Sequence, residues 1–110
     1  MKKVEDALKE LISAIEQQEC YIEYKNSLKA LKEDKELFTK LNEFRKKNME
    51  CHMDHKTLQD QSALRKEYNS FLQKEQVKQF LYWEQETTKL YRMIYDSIAQ
   101  DSELDYSFLD

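Results

Sequence analysis

Residues 21–48 read YIEYKNSLKALKEDKELFTKLNEFRKKN, and the fold is decided in this stretch. Two helical stripes stand back to back in it. Tyr21, Tyr24, Leu28 and Leu31 fall at relative positions 0, 3, 7 and 10, the repeat of one helix face. Leu37, Leu41, Phe44 and Asn48 fall at 0, 4, 7 and 11 and make a second face. Between the two lies Glu33-Asp34. An aspartate there can accept from the free amides of the next helix, and its charge suits the positive helix end. The stretch predicts two short amphipathic helices, or one helix with a break, each needing a partner surface.

The rest of the chain agrees. Glycine and proline are both absent from its 110 residues. Without glycine, positive φ is costly, and without proline there is no preset turn. Tight hairpins and the glycine-dependent phosphate loops are thereby excluded. Leu, Lys, Glu and Gln dominate what remains, and all four favour helix. We therefore expect an all-α fold, an antiparallel helical hairpin or bundle of about four to five helices associating through long helices.

Helices are predicted over 3–17, 19–32 and 35–50. The period fades at Met49–His55, which is read as the main turn. A fourth helix is expected from about Lys56, capped by Asp54, with Leu58, Leu64, Tyr68 and Phe71 inward. After an interruption at Lys74-Glu75-Gln76, a last helix is expected over 77–99, with Val77, Phe80, Leu81, Tyr91, Ile94, Tyr95 and Ile98 along its stripe. Glu84 and Thr87 fall inside that stripe. They read either as a polar seam open to water or as a buried group fixing register in a subunit interface. Residues 1–100 form one helical domain. Residues 101–110, DSELDYSFLD, read as a flexible acidic-aromatic tail or a docking peptide that orders on a partner.

Charge is plentiful but uneven. Charged residues make up 36% of the chain and the net charge is −4. Residues 25–47 hold eight Lys/Arg against four Asp/Glu, whereas residues 84–110 hold two against seven. A basic front and an acidic end suit oriented assembly. The longest apolar run, Phe80-Leu81-Tyr82-Trp83, is far too short for a membrane span, and acidic residues interrupt any signal-like start. Two isolated cysteines make no secreted disulfide framework, so a reducing cytoplasm is expected.

The residues offer little chemistry. Cys51 and His55 stand at i and i+4 and are the weak metal candidates, with His52 between them, but a structural zinc needs four ligands. Serines lie within helical patterns, and two histidines in one turn build no triad. A chorismate-mutase-like site would need several converging cations, and the only arginines are Arg45, Arg65 and Arg92. No enzyme is expected. Lys25, Lys29 and Lys32 share a helix edge and Arg45-Lys46-Lys47 form a cluster. With a pI near 5.3 and aromatics confined to apolar stripes, however, direct nucleic-acid binding is not expected.

The same residues carry a family resemblance. Tyr21, Tyr24 and Lys25, then Leu31, Lys32, Asp34, Glu36 and Leu37, then Asn42, Glu43, Phe44, Arg45 and Asn48 resemble the YlbF/YmcA family of small helical bacterial proteins. Val77, Phe80, Leu81, Glu84 and Gln85 match its pattern on the last long helix. Trp83 stands where the family more often has a small residue, and Thr87-Thr88 replaces more apolar positions. The resemblance implies a non-catalytic adaptor that assembles with related subunits and a YaaT-type protein. It also implies a complex that modulates ribonuclease Y, mRNA processing, competence, sporulation and biofilm formation. The partner assembly carries iron–sulfur clusters, but this chain has no multi-cysteine motif and no cofactor of its own is expected. As the partner interface or its support, the matching residues Tyr21, Tyr24, Phe44, Arg45, Asn48, Phe80, Leu81 and Glu84 are expected. The alternative is a stand-alone homodimer with a weak RNA-binding or metal-binding role.

Overall fold

Asp34 both ends one helix and starts the next. In the computed structural model, which describes residues 1–53 and 58–101, its backbone is extended at φ −104° and ψ 95°. Its Oδ1 accepts from the Leu37 amide at 3.2 Å, the capping bond anticipated from the sequence. The chain folds as α1 (Lys2–Glu16), α2 (Glu19–Glu33), α3 (Lys35–Met53), α4 (Leu58–Glu67), α5 (Asn69–Leu72) and α6 (Glu75–Asp101). The described residues are all-α, as expected, and no helix among them is long and apolar enough to cross a membrane.

The main pairing sets α2 against α6, with α3 packed on α2 and α4 on α3. Two contacts near the start of α2 fix the α2–α6 direction as antiparallel, because a later residue of α2 meets an earlier residue of α6. The Thr87 hydroxyl donates to the Cys20 carbonyl at 3.1 Å, and the Tyr24 and Phe80 rings lie 5.6 Å apart. The core gathers where these helices meet. Leu31, Leu41, Val77 and Phe80 are fully buried, and Phe44, Leu64, Tyr68 and Phe71 close around them. Both stripes of residues 21–48 supply this core, which is why that stretch governs the fold. Tilted and edge-on ring pairs add to the burial: Phe44 lies 5.3 Å from Tyr68, and Tyr68 lies 6.4 Å from Phe71.

Thr87 is buried within the chain itself, 5% exposed, and does not sit in a seam open to water. Its hydroxyl fixes one longitudinal position of α6 on α2. Thr87→Val, close in shape but without the donor, is expected to cost about 1 kcal/mol. Urea unfolding of the two chains measures this, and an unchanged midpoint would show that the bond contributes nothing.

Three expectations need correction. First, α3 continues to Met53, so Cys51 and His52 are helical and do not belong to the turn. Cys51 continues the α3 inner stripe three residues beyond Asn48 and packs half-buried against the core. Second, the expected fourth helix is broken at Tyr68 into α4 and the one-turn α5. Third, Leu58 is 81% exposed. Its position explains this, because within α4 it falls about 120° around the helix from the buried Leu64. The Asp54 cap, the helix start at Lys56 and the tail beyond Asp101 lie outside the described residues.

Candidate functional site

One side of α3 faces the core and the next side faces α6 across a groove. Asn42, Arg45, Met49, His52 and Met53 fall at 0, 3, 7, 10 and 11, a second stripe displaced from the inner one. The groove they border has a volume of about 710 Å³. Phe44 and Leu81 form its floor, Arg45, Asn48 and Glu84 its wall, and Met49 and Met53 its lip. Asn42, Lys46 and His52 complete a polar, partly basic rim. Met49 is 58% and Met53 70% exposed, so two flexible, polarisable side chains stand at the edge of an apolar floor.

Arg45 joins α3 to α6. Its guanidinium donates to the Glu84 carboxylate and lies over the Phe80 ring, 5.3 Å from the ring centre. The guanidinium is thus held by a carboxylate and an aromatic face together. Two other cations of α3 also lie over rings: Lys40 is 5.7 Å from the Phe71 ring centre and Lys47 5.2 Å from that of Tyr68. The Lys47 ammonium is raised above the ordinary lysine value, first by its hydrogen bond with Tyr68 and then by the Glu67 carboxylate. Much of the basic cluster noted in the sequence is therefore engaged within the chain. Lys46 stays exposed on the groove rim, and Lys25, Lys29 and Lys32 stay exposed on α2.

Five of the eight anticipated interface residues line this groove: Phe44, Arg45, Asn48, Leu81 and Glu84. Phe80 lies fully buried beneath Arg45, and Tyr24 packs half-buried against Phe80, so these two support the groove from inside. Tyr21 is half-buried on α2 and does not line it. Asn42, Lys46, Met49, His52 and Met53 were not anticipated. The signal that finds them is the second α3 stripe, which appears only once the helix is continued past Glu50. Of the metal candidates, Cys51 is a free, half-buried thiol and His55 lies outside the described residues. Among the described residues no group of three or more His, Cys, Asp or Glu is arranged to hold a metal.

An apolar floor, a methionine lip and a polar rim suit the docking of a helix or peptide. The family model described as control of competence regulator ComK, YlbF/YmcA, matches residues 4–101. The chain belongs to the YlbF/YmcA family. Among the described residues, the match covers α1 from Val4, all of α2 to α6, and every residue of the groove of this YlbF/YmcA protein. No curated protein and no solved structure matches the chain.

Proposed function

We propose that this YlbF/YmcA protein is a non-catalytic adaptor that assembles with related subunits and a YaaT-type partner. In this role it modulates ribonuclease Y-dependent mRNA processing and, through it, competence, sporulation and biofilm formation. The observation that carries the docking part is the groove. Residues that the family pattern singles out on two separate helices come together on one accessible surface, with Arg45 and Glu84 joined across it. The named partners rest on membership of a family of competence regulators. Tyr21, Tyr24 and Phe80 act in this reading as support, and Arg45, Asn48, Leu81 and Glu84 as the contact surface.

The test is capture from the native cytoplasm with a tagged chain, read by mass spectrometry. The native chain should recover a YaaT-type protein, a second family member or the ribonuclease. Met49→Glu combined with Met53→Glu places two carboxylates on the groove lip, where an apolar partner face would have to desolvate them. That variant should lose at least about tenfold of the captured partner, a difference of about 1.4 kcal/mol, with unchanged helical circular dichroism. Undiminished capture by the variant would remove the groove from the proposal. Recovery of the native chain alone would favour the stand-alone assembly.

A further inference from the structure

Residues 102–110 follow α6 in the sequence and read SELDYSFLD. Leu104, Tyr106 and Phe108 alternate with Glu103, Asp105 and Ser107. This alternation is the period of an extended chain, with apolar side chains on one face and polar ones on the other. Glu103, Asp105 and Asp110 are acidic, and the segment carries no Lys or Arg. A segment so short and acidic needs a preformed surface to order against.

The groove between α3 and α6 is such a surface, and it opens toward the right end of the molecule. Leu41 and Phe80 share the core, and Arg45 and Glu84, one turn further along each helix, are joined across the groove. The two helices therefore run in the same direction, and the lip of Met49 and Met53 lies toward the C-terminal end of α6. Met53 is two turns past Arg45 and so falls level with Arg92, which leaves about 14 Å of α6 between the lip and Asp101. Residues 102–110 span about 30 Å when extended, enough to turn after Asp101 and return to the lip. Tyr106 and Phe108 reach about 17 and 24 Å from Asp101.

The chemistry agrees with the reach. The floor of Phe44 and Leu81 is apolar, and Met49 and Met53 present thioethers that favour contact with rings. Lys46 and His52 stand exposed on the rim, while Glu84, the acidic residue of the wall, is held by Arg45. An acidic, aromatic segment thus matches the groove in both polarity and charge. We propose that residues 102–110 occupy the groove of their own chain and compete there with its partner. Tyr106 and Phe108 lie against the floor and the methionine lip, and Glu103 and Asp105 face Lys46 and His52. The proposal rests on the groove being the docking surface and adds its regulation, since a partner must displace the segment. A weak contact suffices, because a short tether holds the segment at about millimolar effective concentration.

NMR of the full chain, with carbon-13 in its methionine methyl groups, tests this. Met49 and Met53 border the groove, whereas Met1 and Met93 do not line it and serve as internal controls. Tyr106→Ser combined with Phe108→Ser removes both rings and keeps the charge of the segment. The Met49 and Met53 signals should move, with those of Met1 and Met93 in place. Glu103→Lys combined with Asp105→Lys sets like charges against the rim and should move the same two signals in the same direction. Signals that stay in place in both variants overturn the proposal. A labelled chain without the two rings is then mixed with unlabelled native chain, and its signals should not return. Their return would seat the segment in a neighbouring copy and overturn the contact within one chain. Partner capture by the variant without rings should rise about threefold or more, as a larger fraction of grooves stands open. Unchanged or reduced capture overturns the competition. The methionine signals need no partner, so they read the contact even where capture at the groove fails. Unmoved signals with partner still captured would remove the segment and leave the docking surface.

Discussion

Replacing Phe80 with alanine is expected to destabilise the fold by about 3–5 kcal/mol, the largest effect of any single truncation in this chain. Phe80 is fully buried at the centre of the contact between α2, α3 and α6. Its ring faces Tyr24 and lies under the Arg45 guanidinium, so truncation removes an aromatic pair and a cation–ring contact along with the buried area. The neighbours have little freedom to collapse into the space. Leu31, Leu41 and Val77 are already fully buried, and α6 is pinned along α2 by Thr87. Small domains are stable by about 5–15 kcal/mol in total, so the loss would consume a large share. Urea unfolding followed by circular dichroism measures it. Phe80→Leu keeps most of the volume and should cost much less. Equal costs for the two variants would show that the site relaxes and that ring packing is not what holds α6 to α2.

What the sequence shows and what it hides divide along a physical line. Local signals were legible: the Asp34 cap, the two stripes of residues 21–48, and the inward placement of Leu31, Leu41, Phe44 and Phe80 all follow from spacing along one helix. The end of α3 is less legible: the apolar period fades at Met49–His55, although Cys51 continues the inner stripe begun at Leu37. Leu58 is apolar and expected inward with Leu64, but its angular position turns it to solvent. The groove is harder, because Arg45 and Glu84 are 39 positions apart and meet only when α3 and α6 pack on α2 from neighbouring directions. A stripe tells which face of a helix is buried without telling what buries it. The same gap separates the inward stripe expected along distal α6 from the exposure of Tyr91 and Ile98, 48% and 60%, since nothing local to them records that α2 begins opposite Thr87.

Arg45→Glu should act on stability and docking together, and a second variant separates the two. The substitution sets a carboxylate against Glu84 and removes the cation from the Phe80 ring. The side chains of Arg45 and Glu84 are 41% and 28% exposed, so solvent screens the pair and its loss alone is worth no more than about 1 kcal/mol. The ring contact adds about 0.5–1 kcal/mol, and like-charge repulsion adds a further increment. The total, about 2 kcal/mol, lowers the urea midpoint but leaves the helices formed, because the apolar core beneath is untouched. Adding Glu84→Arg to the same chain restores an ion pair in reverse order and should recover part of the stability. Partner capture should not return with it, since the groove would then present its carboxylate on α3 and its cation on α6. Recovery of capture in step with stability would mean that Arg45 serves only to hold α3 against α6. Recovered stability with capture still lost would place the arginine itself in the docking contact.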